Sequence, residues 1–206
     1  MQIKIGLIRN LPHIRSSVEL LVIIMIKEIT IRDFFSFRGE HTIKLNSGVN
    51  LLLGVNGSGK TSFLNAITVL YEGIVGNGLS DLFRQWGSYA SIVNACGEDR
   101  PDCFSLSYVF DATELKKLVP SSPFQYDVHY KITVFPLGNG SNYSLCETLY
   151  SQEKKKKKKS FSYLEFRGGI GQISVRSADG KIINDKYGDG MVSGQELVLR
   201  QITDPQ

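Results

Sequence analysis

The sequence predicts an α/β fold, in which a mixed sheet surrounds a glycine-rich loop and an antiparallel β-subdomain follows it. Two patterns predict this arrangement. The apolar run at residues 49–53 is typical of a buried strand, and it leads through the loop into a helix. The helix is indicated by apolar residues at i, i+3, i+4 and i+7, which are Phe63, Ala66, Ile67 and Leu70. Further along, from Phe104, apolar and polar residues alternate in successive segments, as in strands with one solvated face.

The loop satisfies the phosphate-binding pattern G-x-x-x-x-G-K-[ST]. Its glycines let the backbone approach a phosphate cluster, and the freed N–H groups and the helix N-terminus attract negative charge. Lys60 is expected to reach the β- and γ-phosphates, and the Thr61 hydroxyl to hold Mg²⁺. The fold class is therefore that of a P-loop NTPase lobe; the alternative is a glycine-rich turn that merely joins a strand to a helix. The candidate nucleotide-binding residues are Gly54, Asn56, Gly57, Ser58, Gly59, Lys60, Thr61 and Ser62.

Composition is that of an ordinary globular protein, because 42% of the 206 residues are hydrophobic and 21% are charged. Three cysteines without a C-x-x-C spacing indicate reduced thiols and a cytoplasmic protein. The three histidines are scattered and suggest no metal site. The net charge of +4 is local in origin, since six consecutive lysines run from Lys154 to Lys159.

Residues 1–24 fit poorly with the pattern that follows them. Their apolar run, residues 20–26, is too short to span a bilayer, and no small-residue cleavage site follows it. We therefore expect Met25 to be the natural start and residues 1–24 to be upstream sequence read in frame. Residues 25–206 then form the domain, and mass spectrometry of the native N-terminus would test this.

Before the loop, the alternation of Ile29 and Ile31 with polar residues predicts a half-buried strand. An aromatic segment, DFFSF at residues 33–37, and a turn follow it. Ile43 and Leu45 then predict a second strand, and residues 46–48 turn the chain toward the apolar run.

This order of strand, DFFSF, hairpin, apolar strand, GVNGSGKTS and helix resembles the N-terminal half of the ABC-type AAA-family ATPases. That group includes the RecF, SMC and OLD-type proteins and many defence-associated bacterial ATPases. The matching stretch is residues 25–73. One departure is Phe35, because several relatives carry there an arginine that contacts nucleotide; Arg32 or Arg38 is a candidate substitute.

The resemblance implies ATP and Mg²⁺ as cofactors, and ATP hydrolysis in the intact protein. It also implies an association with DNA, in repair or in phage defence, and a dimer formed with a second ATPase lobe or protomer. Residues 98–185 would form the antiparallel β-subdomain, which in this family helps to clasp the base and the ribose of the nucleotide.

The lysine run lies between two predicted strands of that subdomain. It has two interpretations: a solvated hairpin tip, or a contact with nucleic-acid phosphates whose affinity would depend strongly on salt. No aromatic residues alternate with the lysines, so a reader of base sequence is not expected.

The C-terminal stretch resembles the family segment that ends in S-Q-x-R-D-P. That alignment would make Gln201 the Q-loop glutamine, which approaches Mg²⁺ and the attacking water; the alternative is a plain surface glutamine. Residues 192–195 loosely resemble the ABC signature L-S-G-G-Q, but no apolar strand ending in Asp-Glu follows them, so we reject that assignment.

Hydrolysis by this class also needs a Walker B strand, a neighbouring glutamate base and a signature loop donated across a dimer. We find none of these after Thr61, so the sequence predicts a first lobe alone, a fragment without turnover of its own. A nucleotide-gated binding module or a decayed remnant is the alternative function. A GTPase is disfavoured because N-K-x-D is absent, and a small-molecule kinase because no arginine-rich lid is visible.

Overall fold

The computed structural model describes residues 25–94, 101–118, 120, 122, 124–137, 142–152, 161–177 and 181–203. The predicted leader, Cys96, and the lysine run from Lys154 to Lys159 lie outside these residues. Among the described helices, none combines the length and the apolar character needed to cross a bilayer.

The described residues build one large antiparallel sheet with helices packed against one of its faces. The eight strands lie in the order β2-β1-β3-β4-β5-β6-β7-β8, and every pairing is antiparallel. The strands are β1 (Ile26–Arg32), β2 (Glu40–Lys44), β3 (Phe104–Phe110), β4 (Val128–Leu137), β5 (Asn142–Ser151), β6 (Phe161–Arg167), β7 (Ile170–Arg176) and β8 (Ile182–Tyr187). The helices are α1 (Lys60–Ile74), α2 (Leu79–Gln85), α3 (Tyr89–Ile92), α4 (Ala112–Leu118) and α5 (Val198–Thr203).

The main hydrophobic core lies between α1 and the central strands. Alternate residues of β1, β3 and β4 are fully buried on the face that meets the helices, as the period of two requires. Helix α1 presents Phe63, Ala66 and Leu70 to that face, which confirms the helical period of the sequence. The Tyr108 hydroxyl donates a hydrogen bond of 2.6 Å to the Ala66 carbonyl, so this buried tyrosine is satisfied by the helix it packs against.

The alternating segments predicted after the loop are all strands. They correspond to β3, β4, β5, β6 and β7, and they pair in antiparallel fashion. Strand β8 was not predicted, because its two isoleucines are adjacent rather than alternating and both are exposed. The antiparallel strands continue without a break into β1 and β2, so strands from both sides of the loop share one sheet.

The prediction of a buried strand at residues 49–53 is wrong for the described chain. These residues form no strand, and Val49, Leu51, Leu53 and Val55 are 92%, 77%, 81% and 79% exposed. An apolar run becomes a buried strand only where neighbouring strands and a covering layer receive it, and no strand of the described sheet pairs with this run. The predicted mixed sheet around the loop is also absent from the described residues, because every strand pairing there is antiparallel.

Candidate nucleotide-binding site

Two glycines in the left-handed region bring the loop into the N-terminus of α1. Gly57 has φ 83° and Gly59, the residue that precedes the helix, has φ 91°. A side chain at either position would be strained, which explains why the pattern needs glycine at Gly59 and why glycine also suits the variable position of Gly57. No side chain caps this helix, and its first turn carries no acidic residue. The N–H groups of the first turn are therefore not neutralised by a side-chain carboxylate.

The Lys60 ammonium lies over the first half of the loop. Its Nζ donates hydrogen bonds to the carbonyls of Gly54, at 2.7 Å, and Val55, at 2.8 Å, and to the Ser58 hydroxyl, at 3.3 Å. A Cβ at Gly54 would come within 2.5 Å of the Ser58 Oγ, so a side chain there would have to displace the Ser58 hydroxyl. All these partners are neutral and exposed, so the positive charge of Lys60 is available to an anion that enters the loop.

A cavity of about 210 Å³ lies beside the loop. Its walls offer hydroxyls, backbone amides, one amide side chain and one ammonium, and no carboxylate. This donor set fits a cluster of phosphate oxygens, and Thr61 offers a hydroxyl to a Mg²⁺ ion bound with them. The residues that line the cavity are Ser36, Asn56, Gly57, Gly59, Lys60, Thr61 and Ser62.

The structure therefore brings together most of the residues that the motif predicts. Six of them line the cavity, while Gly54 and Ser58 contact the Lys60 ammonium instead. Their roles as nucleotide ligands stay predictions. Ser36, which belongs to the DFFSF segment, was not predicted as a site residue. Nothing in the spacing of that segment indicates contact with a loop more than twenty residues away.

The DFFSF segment forms a tight turn against the loop. Asp33 and Phe35 adopt positive φ values of 54° and 47°, which non-glycine residues rarely do. Phe35, where the resemblance led us to expect an arginine, packs edge-on against Trp86 with ring centroids 5.3 Å apart. Of the candidate substitutes, Arg32 places its Nε 3.3 Å from the Asp33 carboxylate. The cavity lining includes neither Arg32 nor Arg38.

Gln201 lies on α5, and the structure does not bring it to the loop. Its side chain accepts a hydrogen bond from the Ser193 N–H at 2.7 Å and donates to the carbonyls of Ser193, at 3.1 Å, and Glu196, at 3.0 Å. The residue before α5, Leu197, lies over Gly73, thirteen positions after Lys60 on α1. Gly73, where the start of α5 packs, is therefore about 20 Å along the axis of α1 from the loop. The role of Gln201 as a Mg²⁺ ligand stays a prediction that this arrangement does not support.

A buried carboxylate fastens α5 to the sheet. Glu147 on β5 accepts hydrogen bonds from the Tyr130 hydroxyl at 2.8 Å and from the N–H groups of Val198, at 2.5 Å, and Leu199, at 3.2 Å. Burial raises the pKa of Glu147 to about 7, although these three hydrogen bonds act in the opposite direction. Sequence reasoning missed Glu147, because a lone glutamate within an alternating strand carries no signal of its distant partners.

A glycine-rich loop leading into an uncapped helix, with a lysine above it and hydroxyls around it, defines a P-loop domain. Residues 28–190 match the AAA domain family, which covers well over half of the chain, so the chain belongs to that family. It is also similar to the DNA double-strand break repair Rad50 ATPase of Archaeoglobus fulgidus, with 41% identity over 51 residues. That match covers 25% of this chain and 6% of the relative.

The resemblance to AAA-family ATPases of the SMC, RecF and Rad50 type is confirmed by these two matches. The match spans only a small part of the Rad50 relative, so it does not assign the activity of that whole protein to this chain.

Proposed function

We propose that this chain is an ATP-binding lobe of an AAA-family ATPase. The observation that carries the proposal is the Lys60 ammonium over the loop, beside a cavity lined by amides and hydroxyls without a carboxylate. ATP with Mg²⁺ would place its phosphates against the amides of residues 56–61, with Lys60 on the outer phosphates and Thr61 on the metal. When bound, Mg²⁺ would neutralise phosphate charge; this chain would supply the binding, and the intact protein the hydrolysis.

A second lobe or protomer completes the site in this proposal. The apolar residues on either side of Leu52 are exposed directly before the loop, and among the described residues the segment pairs with no strand. No carboxylate of the described chain lines the cavity, so the acidic metal ligand and the base would come from elsewhere. We therefore expect the isolated chain to bind nucleotide with negligible turnover.

Isothermal titration calorimetry with MgATP tests the proposal. Lys60→Ala should weaken binding by at least tenfold, because it removes the one ammonium that lines the cavity. Lys116→Ala is the matched control, since Lys116 is exposed on α4, away from the cavity lining, and should bind as the wild type does. No heat of binding for the wild type, or identical binding by Lys60→Ala, would refute the proposal.

The alternative function is a nucleotide-gated binding module that never hydrolyses ATP. The absence of a carboxylate from the cavity lining favours it equally for the isolated chain. The two differ once a complementary lobe is added: an ATPase lobe gains turnover of ATP to ADP and phosphate, and a binding module does not.

We further propose a cytoplasmic protein that associates with DNA, in repair or phage defence. The similarity to a DNA double-strand break repair ATPase supports repair, and the free Cys103 and Cys146 suit a reducing compartment. Contact through Lys154 to Lys159 would make duplex binding fall steeply with salt. Replacing those six lysines with serine should flatten the salt dependence of binding measured by fluorescence anisotropy; an unchanged dependence would remove the lysine run from the interface.

A further inference from the structure

The side chain of Ser36 reaches the wall of the phosphate cavity from outside the loop motif. Ser36 is exposed and lines the cavity with Gly59, Lys60 and Thr61. A Cβ at Gly59 would lie 3.2 Å from the Ser36 Oγ, so this hydroxyl lies close against Gly59. The cavity is thus walled on one side by the DFFSF turn.

The hydroxyls of Ser36 and Ser62 form a pair that has one hydrogen to spare. Their oxygens are 2.8 Å apart, so one hydroxyl donates to the other. Each hydroxyl carries one hydrogen, and a shared bond uses only one of the two. Ser62 is buried and Ser36 is exposed at the cavity, so the arrangement in which Ser62 donates leaves the Ser36 hydrogen free to point into the cavity.

The turn that carries Ser36 is held in a costly conformation from several sides. Asp33 and Phe35, which have positive φ values, lie within the three residues before it, and the Asp33 carboxylate accepts a 2.7 Å hydrogen bond from the Gly39 N–H. Asn94 donates from its side chain to the Phe35 carbonyl at 2.6 Å. The Phe35 N–H donates to the Ile92 carbonyl at 2.7 Å. Strained backbone that is over-determined in this way is characteristic of positions held for a ligand.

Ser36 and Lys60 contact different parts of the loop and of the helix that follows it. The Lys60 ammonium contacts Gly54, Val55 and Ser58, whereas Ser36 contacts Ser62 and lies over Gly59. In phosphate-binding loops the lysine reaches the β- and γ-phosphates, while the amides cradle the α- and β-phosphates. The second half of the loop and the first turn of α1 therefore face the inner phosphates, and Ser36 stands beside them.

We infer that the Ser36 hydroxyl is a nucleotide-binding group that donates a hydrogen bond to an oxygen of the α- or β-phosphate. The inference rests on the proposed function and adds a residue to its site. Phe35 packs against Trp86, and the turn presents the neutral hydroxyl of the next residue, Ser36, to the cavity. A single hydrogen bond to a charged group predicts a loss of about tenfold in affinity when it is removed.

The test is calorimetric titration of the full chain and its Ser36→Ala variant with MgATP and with MgADP. Ser36→Ala should bind both nucleotides about tenfold more weakly, because both contain the α- and β-phosphates. Ser107→Ala, which removes a half-buried hydroxyl from the opposite face of β3, should bind both as the wild type does. Unchanged affinity of Ser36→Ala, or a loss confined to MgATP, would overturn the inference.

The Ser62→Ala variant tests whether the Ser36 hydroxyl binds the nucleotide or only holds the turn against α1. It breaks the same hydroxyl pair but keeps the Ser36 hydroxyl, so it should weaken nucleotide binding less than Ser36→Ala does. Because Ser62 also lines the cavity, the Ser36→Ala, Ser62→Ala double variant completes the test. Equal losses in the two single variants with no further loss in the double variant would overturn the inference, because they would mean that the pair only ties the turn to α1. Failure of the proposed function would look different, because then the wild type would bind no nucleotide, or Lys60→Ala would bind it as well as the wild type does.

Discussion

Glu147 shows at the scale of one residue how burial and hydrogen bonding oppose each other. Its carboxylate has three donors around it, which favour the ionised form, yet burial outweighs them and raises the pKa to about 7. The donors come from β4 and from the first turn of α5; Tyr130 is itself a buried titratable group, whose pKa burial also raises. A proton that the unfolded chain releases near pH 4.5 is therefore kept by the folded chain up to about pH 7.

This difference predicts how stability depends on pH. Between pH 4.5 and 7 the folded state binds more protons than the unfolded state, so the free energy of unfolding falls as the pH rises through that window. The contribution of Glu147 is roughly 3 kcal/mol. In Glu147→Gln this decline should be absent, as measured by urea denaturation at pH 4.5, 5.5, 6.5 and 7.5.

The comparison needs a control for the loss of a carboxylate. Glu165→Gln serves, because Glu165 is exposed on β6. If Glu147→Gln loses stability with pH as steeply as the wild type, the raised pKa of Glu147 is wrong.

At the scale of elements, the C-terminal segment joins the sheet to the helices. The Tyr143 hydroxyl on β5 donates to the Gln195 carbonyl, and Arg200 donates to the carbonyl of Gly76, just after α1. The Glu196 carboxylate accepts hydrogen bonds from the N–H groups of Leu79, at 2.7 Å, and Ser80, at 2.9 Å, at the start of α2. A helix that is preceded by a glycine thus receives its cap from a residue more than a hundred positions away.

Glu196→Ala should lower the free energy of unfolding by about 1 kcal/mol or more, because it removes the acceptor of two N–H groups in the first turn of α2. Equilibrium urea denaturation measures the change. Gln195→Ala is the neighbouring control, since the Gln195 side chain makes no hydrogen bond within the described part of the chain. Equal stability of the two variants would show that water caps α2 as well as Glu196 does.

Local periodicity was sufficient to predict most elements, and long-range contacts explain the rest. Alternation in β3 and β4 and the helical period of α1 each report which face is buried, so those elements were predicted from sequence. The loop residues followed from a contiguous motif. Ser36, Glu147 and Glu196 escaped prediction, because each acts through contacts with residues far away in sequence, and no local pattern encodes such contacts.

At the scale of the whole molecule, the apolar run before the loop is exposed in the described fold. Hydrophobicity at residues 49–53 predicted a buried strand, yet these residues are exposed and no strand of the eight-stranded sheet pairs with them. The same run is short, rich in leucine and free of charge, which is the profile of an exposed association site.

We therefore expect the isolated chain to self-associate through this run. The double variant Leu51→Ser, Leu53→Ser should be monomeric by analytical ultracentrifugation at concentrations where the wild type is not. Its free energy of unfolding should stay within about 0.5 kcal/mol of the wild-type value, because side chains this exposed bury nothing in the fold. Ile29→Ser on the fully buried face of β1 is the contrasting variant, and it should be strongly destabilised. If the double variant loses several kcal/mol, residues 49–53 are buried within this chain in solution, and the second lobe is not needed to receive them.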